Sequence, residues 1–559
     1  MPEQLHSYFF MKTSLILFLI ALTLRLGVVF FWQFDGLYGQ DAYAYLRQAV
    51  AIAQTLPHGQ PPPTDFFWPN GFPLLIAFWM LFVGQTAWAG QLAALLCGAA
   101  LAPLSFLLSC ELFSENNSMI IRSHYTGLLA GFIVAVAGQP ILSSVVIMAD
   151  MPALFWATLA AWLVIRAVNL GNSGELRGTQ GNSKEVFSPA PLLPRSPALL
   201  FFAAGVALAL AIISRWLYVL IVPALGFYIF FNFWSAKLAL PNSKASFALQ
   251  FKNFEWSPLL AVCSGALILA PQLWLSLNKP EGLAHSWLLG WSPAHFFQRE
   301  FENIDGHFLY QLPNFIFYAQ PAGHPAYIFP LLGVAALWAI WRLGQTRQWG
   351  ALILLLGWVA PVYLFLAGIP YQNFRFGLTL YPPLVILTGY GLSDFLSGGE
   401  REQGSRGEGE RRRIFSPAPL LPCPSALFKL IIVLSLLGML AWAYPMLDNF
   451  LTVQNQSKII AAQVEQTLPK EATLITFGLT LTLQHYTQLN TLEFFYLDAA
   501  SLQTLAESPG PLYLLLDVGS IETQWRGKTP QINYQWLKKN TTLTPVGDFS
   551  PYTLFKVTK

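Results

Sequence analysis

Apolar runs, each near the length that crosses a bilayer, recur from about residue 13 to residue 444 of this 559-residue chain. About 30 Å of hydrocarbon takes roughly 20 helical residues, and inside lipid a segment must satisfy its own backbone hydrogen bonds. The runs therefore predict a mainly α, polytopic membrane protein. Only 11% of the residues are charged, against roughly 25% in ordinary soluble domains, which excludes a soluble globule. The net charge of +3 points to no nucleic-acid partner. Cys97, Cys110, Cys263 and Cys423 have no metal-ligand spacing, and three of them lie in apolar runs where a thiol acts as a small hydrophobe.

The first run, 13–34, is too long for a signal-peptide core and lacks a small-residue cleavage site, so it is read as a retained helix. A polar, proline-rich loop follows, and then 72–83, which is apolar but only about 18 Å long as a helix. If 72–83 lies in the outer interface, the later spans are 87–113, 125–148, 151–168, 198–213, 216–234, 258–277, 325–341, 350–367, 378–396 and 427–444. With the first helix this makes about eleven.

Short cytoplasmic loops are enriched in Lys and Arg, which tests that choice. Setting aside Arg25 within the first helix and the C-terminal region, this threading leaves only Arg47, Arg215, Lys279, Arg299 and Arg375 outside. Making 72–83 a true span would reverse nearly the whole distribution. The same threading places Asp41, Asp150, Arg215 and Arg375 on one outer face, a convergence that was not used to choose it.

Two inner loops, about 171–197 and 397–426, carry a near-repeat: EVFSPAPLLPRSPAL at 185–199 and RIFSPAPLLPCPSAL at 413–427, each after a polar, glycine-rich run. Such units neither form a helix nor bury a face, and they read as flexible insertions. They supply part of the inner charge, and without them the bias keeps its sign. Residues 1–445 thus form a transmembrane domain. From 446 to 559 the stretches IIAAQVEQTL, ATLITF, LTLQHY, LEFFYL, PLYLLLDV and YTLFKV alternate helix and strand character and predict a small outer α/β domain.

Chemistry has few places to sit. Asp41 opens GQDAYAYLRQA, 39–49, with Tyr43 and Arg47 following at helical spacing. It is either a helix N-cap or a reactive carboxylate at the membrane surface. Asp150, in Asp-Met-Pro at the head of a span, reads first as a cap before a first-turn proline. Arg215 in IISRWLYVL and Arg375 in GIPYQNFRFGLTLYPP are either snorkelling residues or guanidinium partners for a phosphate at the lipid interface. Arg25 sits mid-span and needs a partner or a wet cavity, which makes it a functional candidate. In the outer loop 278–324, His285, His295, His307 and His324 stand among aromatics that suit either a sugar site or an interfacial belt.

The Asp41 stretch, WPNGFPLLIAFWMLFVG at 68–84, SSVVIMADMPALFWATLA at 143–160 and QNFRFGLTLYPPL at 372–384 together resemble the GT-C superfamily of membrane glycosyltransferases. The likeness is to the protein O-mannosyltransferase-like branch, with the lipid A aminoarabinose transferases and RgtA/B/C/D-like proteins. It implies a cell-membrane enzyme that inverts as it moves a sugar from a polyprenyl-phosphate donor to an extracytoplasmic acceptor, which is a glycan, lipid or protein. Asp41 matches the family's catalytic position in the first outer loop and Asp150 its second acidic position. Arg375 and Arg215 would hold the donor phosphate, and Tyr43, Arg25 and His285 are candidate substrate contacts. No cofactor is required, and divalent-metal dependence stays open. The chain departs from the family in having Ala42 where a Glu often follows the Asp, and Pro-Asn-Gly where a double proline is more usual. A transporter or flippase of lipid-linked saccharides would share the spans and basic sites, but the expected pair of broken helices in matching halves is not evident. A membrane-anchored scaffold would need neither so many spans nor Arg25.

Overall fold

The structure, a computed structural model, describes residues 2–61, 63, 66–114, 120–179, 196–238, 256–278, 290–405 and 424–559. Among them, eight helices are long and apolar enough to cross a membrane, or nine when one bent pair counts as a single span. The chain is a multi-pass membrane protein with a small C-terminal sheet domain.

The helical part consists of α1 (Pro2–Trp32), α2 (Gly39–Thr55), α3 (Gly71–Val83), α4 (Ala87–Leu112), α5 (Ile120–Val136), α6 (Gly138–Val145), α7 (Asp150–Thr179), α8 (Pro197–Ser214), α9 (Val222–Leu238), α10 (Ser257–Leu277), α11 (Pro330–Gln345), α12 (Trp349–Gly368), α13 (Tyr381–Ser405) and α14 (Pro424–Thr467). The expected count of about eleven is not reached, for two reasons. Helix α11 has only 16 residues, and the second half of α13, GLSDFLSGGEREQGS, is polar and glycine-rich. The expected span 125–148 is the bent pair: α5 and α6 meet at 56°. Ala137 between them is extended (φ −67°, ψ 133°), and α6 restarts with Gly-Gln-Pro, where Pro140 has no N–H to continue the α5 ladder. Helix α3, at 13 residues, is about 20 Å long and too short to cross.

The break explains Arg25. Its side chain is fully buried. The Nε donates to Ser144 Oγ of α6 at 2.9 Å, and Nη1 donates to the carbonyls of Ala21 at 3.0 Å and Ala135 at 3.4 Å. The last carbonyls of a helix have no partner of their own and carry its negative end. Arg25 therefore caps the interrupted end of α5. Arg25, a candidate substrate contact by sequence, here reaches a hydroxyl and main-chain oxygens of the bundle. Gly98 of α4 makes the room, because a Cβ there would stand 2.0 Å from Ser144 Oγ and 3.2 Å from Arg25 Nε.

Ion pairs mark the end of the bundle away from Asp150. Arg122 meets Asp394 at 2.7 Å, Arg342 meets the same carboxylate at 3.4 Å, and Arg166 meets Glu111 at 3.5 Å. Arg166 lies sixteen residues down α7 from Asp150, or about 24 Å. These three arginines belong to the set that the charge bias places inside.

The C-terminal sheet has the order β4-β3-β5-β7-β6, built from β3 (Thr473–Thr476), β4 (Asn490–Glu493), β5 (Leu512–Leu516), β6 (Thr542–Phe549) and β7 (Tyr552–Thr558). Strand β3 runs parallel to β4 and β5, while β7 is antiparallel to β5 and β6. A hairpin of β1 (Glu300–Asn303) and β2 (Gly306–Leu309) from the 278–324 loop joins this domain. His307 N donates to Gln524 O at 2.7 Å, and Lys528 pairs with Glu302 at 2.8 Å. The boundary expected at 446 falls inside α14, which runs unbroken for 44 residues with Pro445 in its interior. The expected insertions begin as helix, at 171–179 and 397–405, and residues 180–195 and 406–423 lie outside the described residues.

Candidate active site

Helix α2 starts the site. Its N-cap is Tyr38, and Asp41 is the third helical residue with no capping bond, so the N-cap reading of Asp41 does not hold. A carboxylate in the first turn still suits the positive end of the helix, and its oxygens remain available to other groups. Asp150 opens α7 in the same way. Arg215 is the extended residue (φ −149°, ψ 119°) that follows α8. Arg375 sits in the short 3-10 turn Phe374–Leu380, and its own N–H donates to the capping Asn373 Oδ1 at 3.2 Å.

These four residues, drawn from four parts of the chain, form one line of alternating charge. Arg215 Nε lies 2.9 Å from Asp150 Oδ1, Asp150 Oδ2 lies 4.0 Å from Arg375 Nε, and Arg375 Nη2 donates to Asp41 Oδ2 at 3.2 Å. Two guanidiniums and two carboxylates cancel. Burial works against the Arg375 charge, but Asp150 and Asp41 outweigh it and hold the guanidinium above its ordinary value. Exposure separates the carboxylates: the Asp150 side chain is 4% exposed and that of Asp41 39%. Arg215 also stacks its guanidinium over Phe376, 5.2 Å from the ring centre. Gly71, in the Pro-Asn-Gly of the sequence, lets the start of α3 rest on this region, since a Cβ would come within 2.6 Å of the Ile213 backbone.

The other sequence candidates lie elsewhere. Tyr43 faces the C-terminal domain, its ring 5.6 Å from His485 and 6.2 Å from Tyr486. Burial pushes its hydroxyl up to about 12. Tyr43 is therefore an interdomain contact. The residue on the Asp41 face is Tyr45, one helical turn on, fully buried and within electrostatic reach of all four charged residues. The i, i+4 rule of helices was the signal for it. His285 and Trp287 lie outside the described residues. His295 bonds the Gly368 carbonyl at 2.8 Å, and His307 pairs with Glu300 at 3.1 Å.

The C-terminal domain grips α2 beside Asp41. The Gln40 side chain donates to Gly478 O at 2.6 Å and accepts from Leu481 N at 2.9 Å, a two-point clasp between residues more than 430 positions apart. Asp35 pairs with Lys458 at 2.8 Å and accepts from the Tyr486 hydroxyl. Neither clasp residue was singled out from the sequence, because a glutamine in a polar loop carries no mark of its distant partner.

Among the described residues no group of three His, Cys, Asp or Glu side chains could hold a metal ion. Both carboxylates of the cluster are engaged by guanidiniums.

The helical bundle with its C-terminal sheet domain has the fold of solved polytopic membrane proteins. ArnT from Cupriavidus metallidurans, solved bound to undecaprenyl phosphate, superposes with a TM-score of 0.54 at 13% identity, over 98% of this chain and 97% of that one. The archaeal oligosaccharyltransferase AglB from Archaeoglobus fulgidus, solved with an inhibitory peptide and a dolichol-phosphate, gives 0.51 at 12% identity over 92% of this chain and 70% of that one. The Archaeoglobus fulgidus oligosaccharyltransferase in complex with Zn and sulfate gives 0.56 at 13% identity over 91% and 68%. No protein-family model and no curated protein matches the chain by sequence.

Proposed function

We propose that this protein is a membrane glycosyltransferase that moves a sugar from a polyprenyl-phosphate donor to an acceptor hydroxyl on the extracytoplasmic side, with inversion at the anomeric carbon. The observation that carries the reading is the Arg215–Asp150–Arg375–Asp41 line beside the C-terminal domain. Solved proteins of the same fold in complex with undecaprenyl phosphate and dolichol-phosphate support it.

The cluster is neutral at rest, and a donor phosphate brings negative charge. Arg375 bridges the exposed and the buried carboxylate, so a phosphate that draws its guanidinium away leaves Asp41 free. The acceptor oxygen then attacks the anomeric carbon while Asp41 takes its proton. The bond from that carbon to the phosphate oxygen breaks with its electron pair, and the departing phosphate is stabilised by Arg375 and Arg215. Asp150, buried between the two guanidiniums, positions them. The outer orientation is supported by the inward set of Arg122, Arg166 and Arg342 at the opposite end. The transporter alternative gains no support, since the one bent helix pair among the described residues has no second bent pair to match it.

The test is turnover of a purified polyprenyl-phosphate sugar by the full chain, with release of polyprenyl phosphate and the anomeric configuration of the product read by NMR. The expected product is inverted; retention of configuration overturns the single-displacement mechanism. If Gln40 positions Asp41, Gln40→Leu lowers kcat about 10-fold, consistent with the loss of two hydrogen bonds of about 0.5–1.5 kcal/mol each. Donor KM stays as in the parent, and an unchanged kcat would reduce the clasp to a structural contact.

A further inference from the structure

A cavity of about 770 Å³ opens next to the charged line, between α6, the 320–324 turn and α14. Tyr38, which ends the loop before α2, and Phe374, the neighbour of Arg375, both line it. Tyr38 lies within electrostatic reach of Arg375. We propose that this cavity receives the sugar of the donor, and that the sugar is uncharged and rich in hydroxyls. The proposal rests on the transferase reading above and adds the class of substrate to it.

Polar groups without partners carry the first half of the argument. The amide side chains of Gln320, Asn449 and Gln454 face the cavity and hydrogen bond to no described residue. His324 accepts the Ala326 N–H on Nδ1 at 3.2 Å, which puts its proton on Nε2, where no described residue takes it. Burial lowers the basicity of this imidazole and keeps it a neutral donor. Hydrocarbon packed over these groups would leave each of them unsatisfied, whereas hydroxyls pair with amides as both donor and acceptor. Aromatic walls suit the apolar face of a sugar ring: His324 stands edge-on to Phe374 at 4.9 Å and to Trp442 at 5.8 Å.

The second half rests on charge. Among the described residues, no Asp, Glu, Lys or Arg lines the cavity. An ammonium-bearing sugar brought here would lack a carboxylate, and a uronic acid would lack a cation. A charge taken out of water without a partner is strongly disfavoured. Arg375, next to the lining Phe374, and Asp41, three residues after the lining Tyr38, are committed to the phosphate and the acceptor proton.

The experiment measures binding to the full chain in nanodiscs of three probes: sugar-free polyprenyl phosphate, polyprenyl-phosphate glucose and a polyprenyl phosphate carrying an amino sugar. The parent is expected to bind the glucose donor at least about 10-fold more tightly than the amino-sugar donor. The Gln320→Leu/Asn449→Leu double variant is expected to weaken the glucose donor by about 5- to 30-fold, as the loss of one to two hydrogen bonds predicts. Its affinity for sugar-free polyprenyl phosphate stays within twofold of the parent, which also reports that it is folded. Preference for the amino-sugar donor overturns the proposal. Equal weakening of the sugar-free lipid overturns it too, and assigns the cavity to the lipid chain. A parent that binds none of the three removes the transferase reading itself, a result distinct from either.

Discussion

Asp41→Asn protein inserts and folds like its parent and transfers sugar at least about 100-fold more slowly, the low end of what a lost general base costs. The geometry gives this expectation its shape. Asparagine keeps an oxygen for the Arg375 contact at 3.2 Å, so the line of side chains survives while the proton acceptor is gone. Binding of sugar-free polyprenyl phosphate should be unchanged or tighter, because Arg375 is less firmly held by a neutral amide. The measurement is single-turnover transfer beside lipid binding by the same preparation. Full turnover by Asp41→Asn removes Asp41 from the chemistry.

Arg375→Ala is expected to act on binding. A hydrogen bond to a charged group contributes about 1.5–3 kcal/mol, so donor affinity should fall roughly 10- to 150-fold. The same change takes from Asp150 one of its two guanidiniums, while Arg215 stays at 2.9 Å. Lower thermal stability accompanies it, since a carboxylate 4% exposed keeps only one partner. Arg375→Lys separates the two effects. A lysine restores the charge near Asp150 and recovers stability, yet it lacks the planar fork that spans Asp150 and Asp41 and recovers donor affinity only in part. Donor affinity equal to the parent in Arg375→Ala would exclude a phosphate contact.

What the sequence disclosed follows from where each signal is stored. Asp41, Asp150, Arg215 and Arg375 each stand at the edge of an apolar run, and a charge bias that counted neither aspartate already put all four on one face. Tyr45, four residues from Asp41, shares its helical face, whereas Tyr43, two residues from it, looks close in a string and points elsewhere on a helix. The surroundings of Arg25 were not legible, because its partners include the Ala135 carbonyl beside the break at Ala137, and no residue type announces a free carbonyl. In the C-terminal domain, strands such as Leu512–Leu516 and Tyr552–Thr558 have the expected apolar pattern. Strand β6 (TLTPVGDF) was not singled out, since Pro545 argues against a strand. It is accommodated on the sheet edge, at a bulge between Pro545 and Gly547.

Helix α14 contributes to three separate cores: Ile432 and Met439 to the larger helical one, Ala443, Leu447 and Leu451 to the one around α2, and Ile460, Ala461 and Val464 to the sheet domain. A continuous helix turns about 100° and rises about 1.5 Å with each residue. The azimuth and height of the outer domain over the membrane are thus counted out in residues between Leu451 and Ile460. One residue more or fewer there would swing the domain by a quarter turn and carry Gly478 and Leu481 away from Gln40, so length, more than composition, is the property this stretch of chain has to keep.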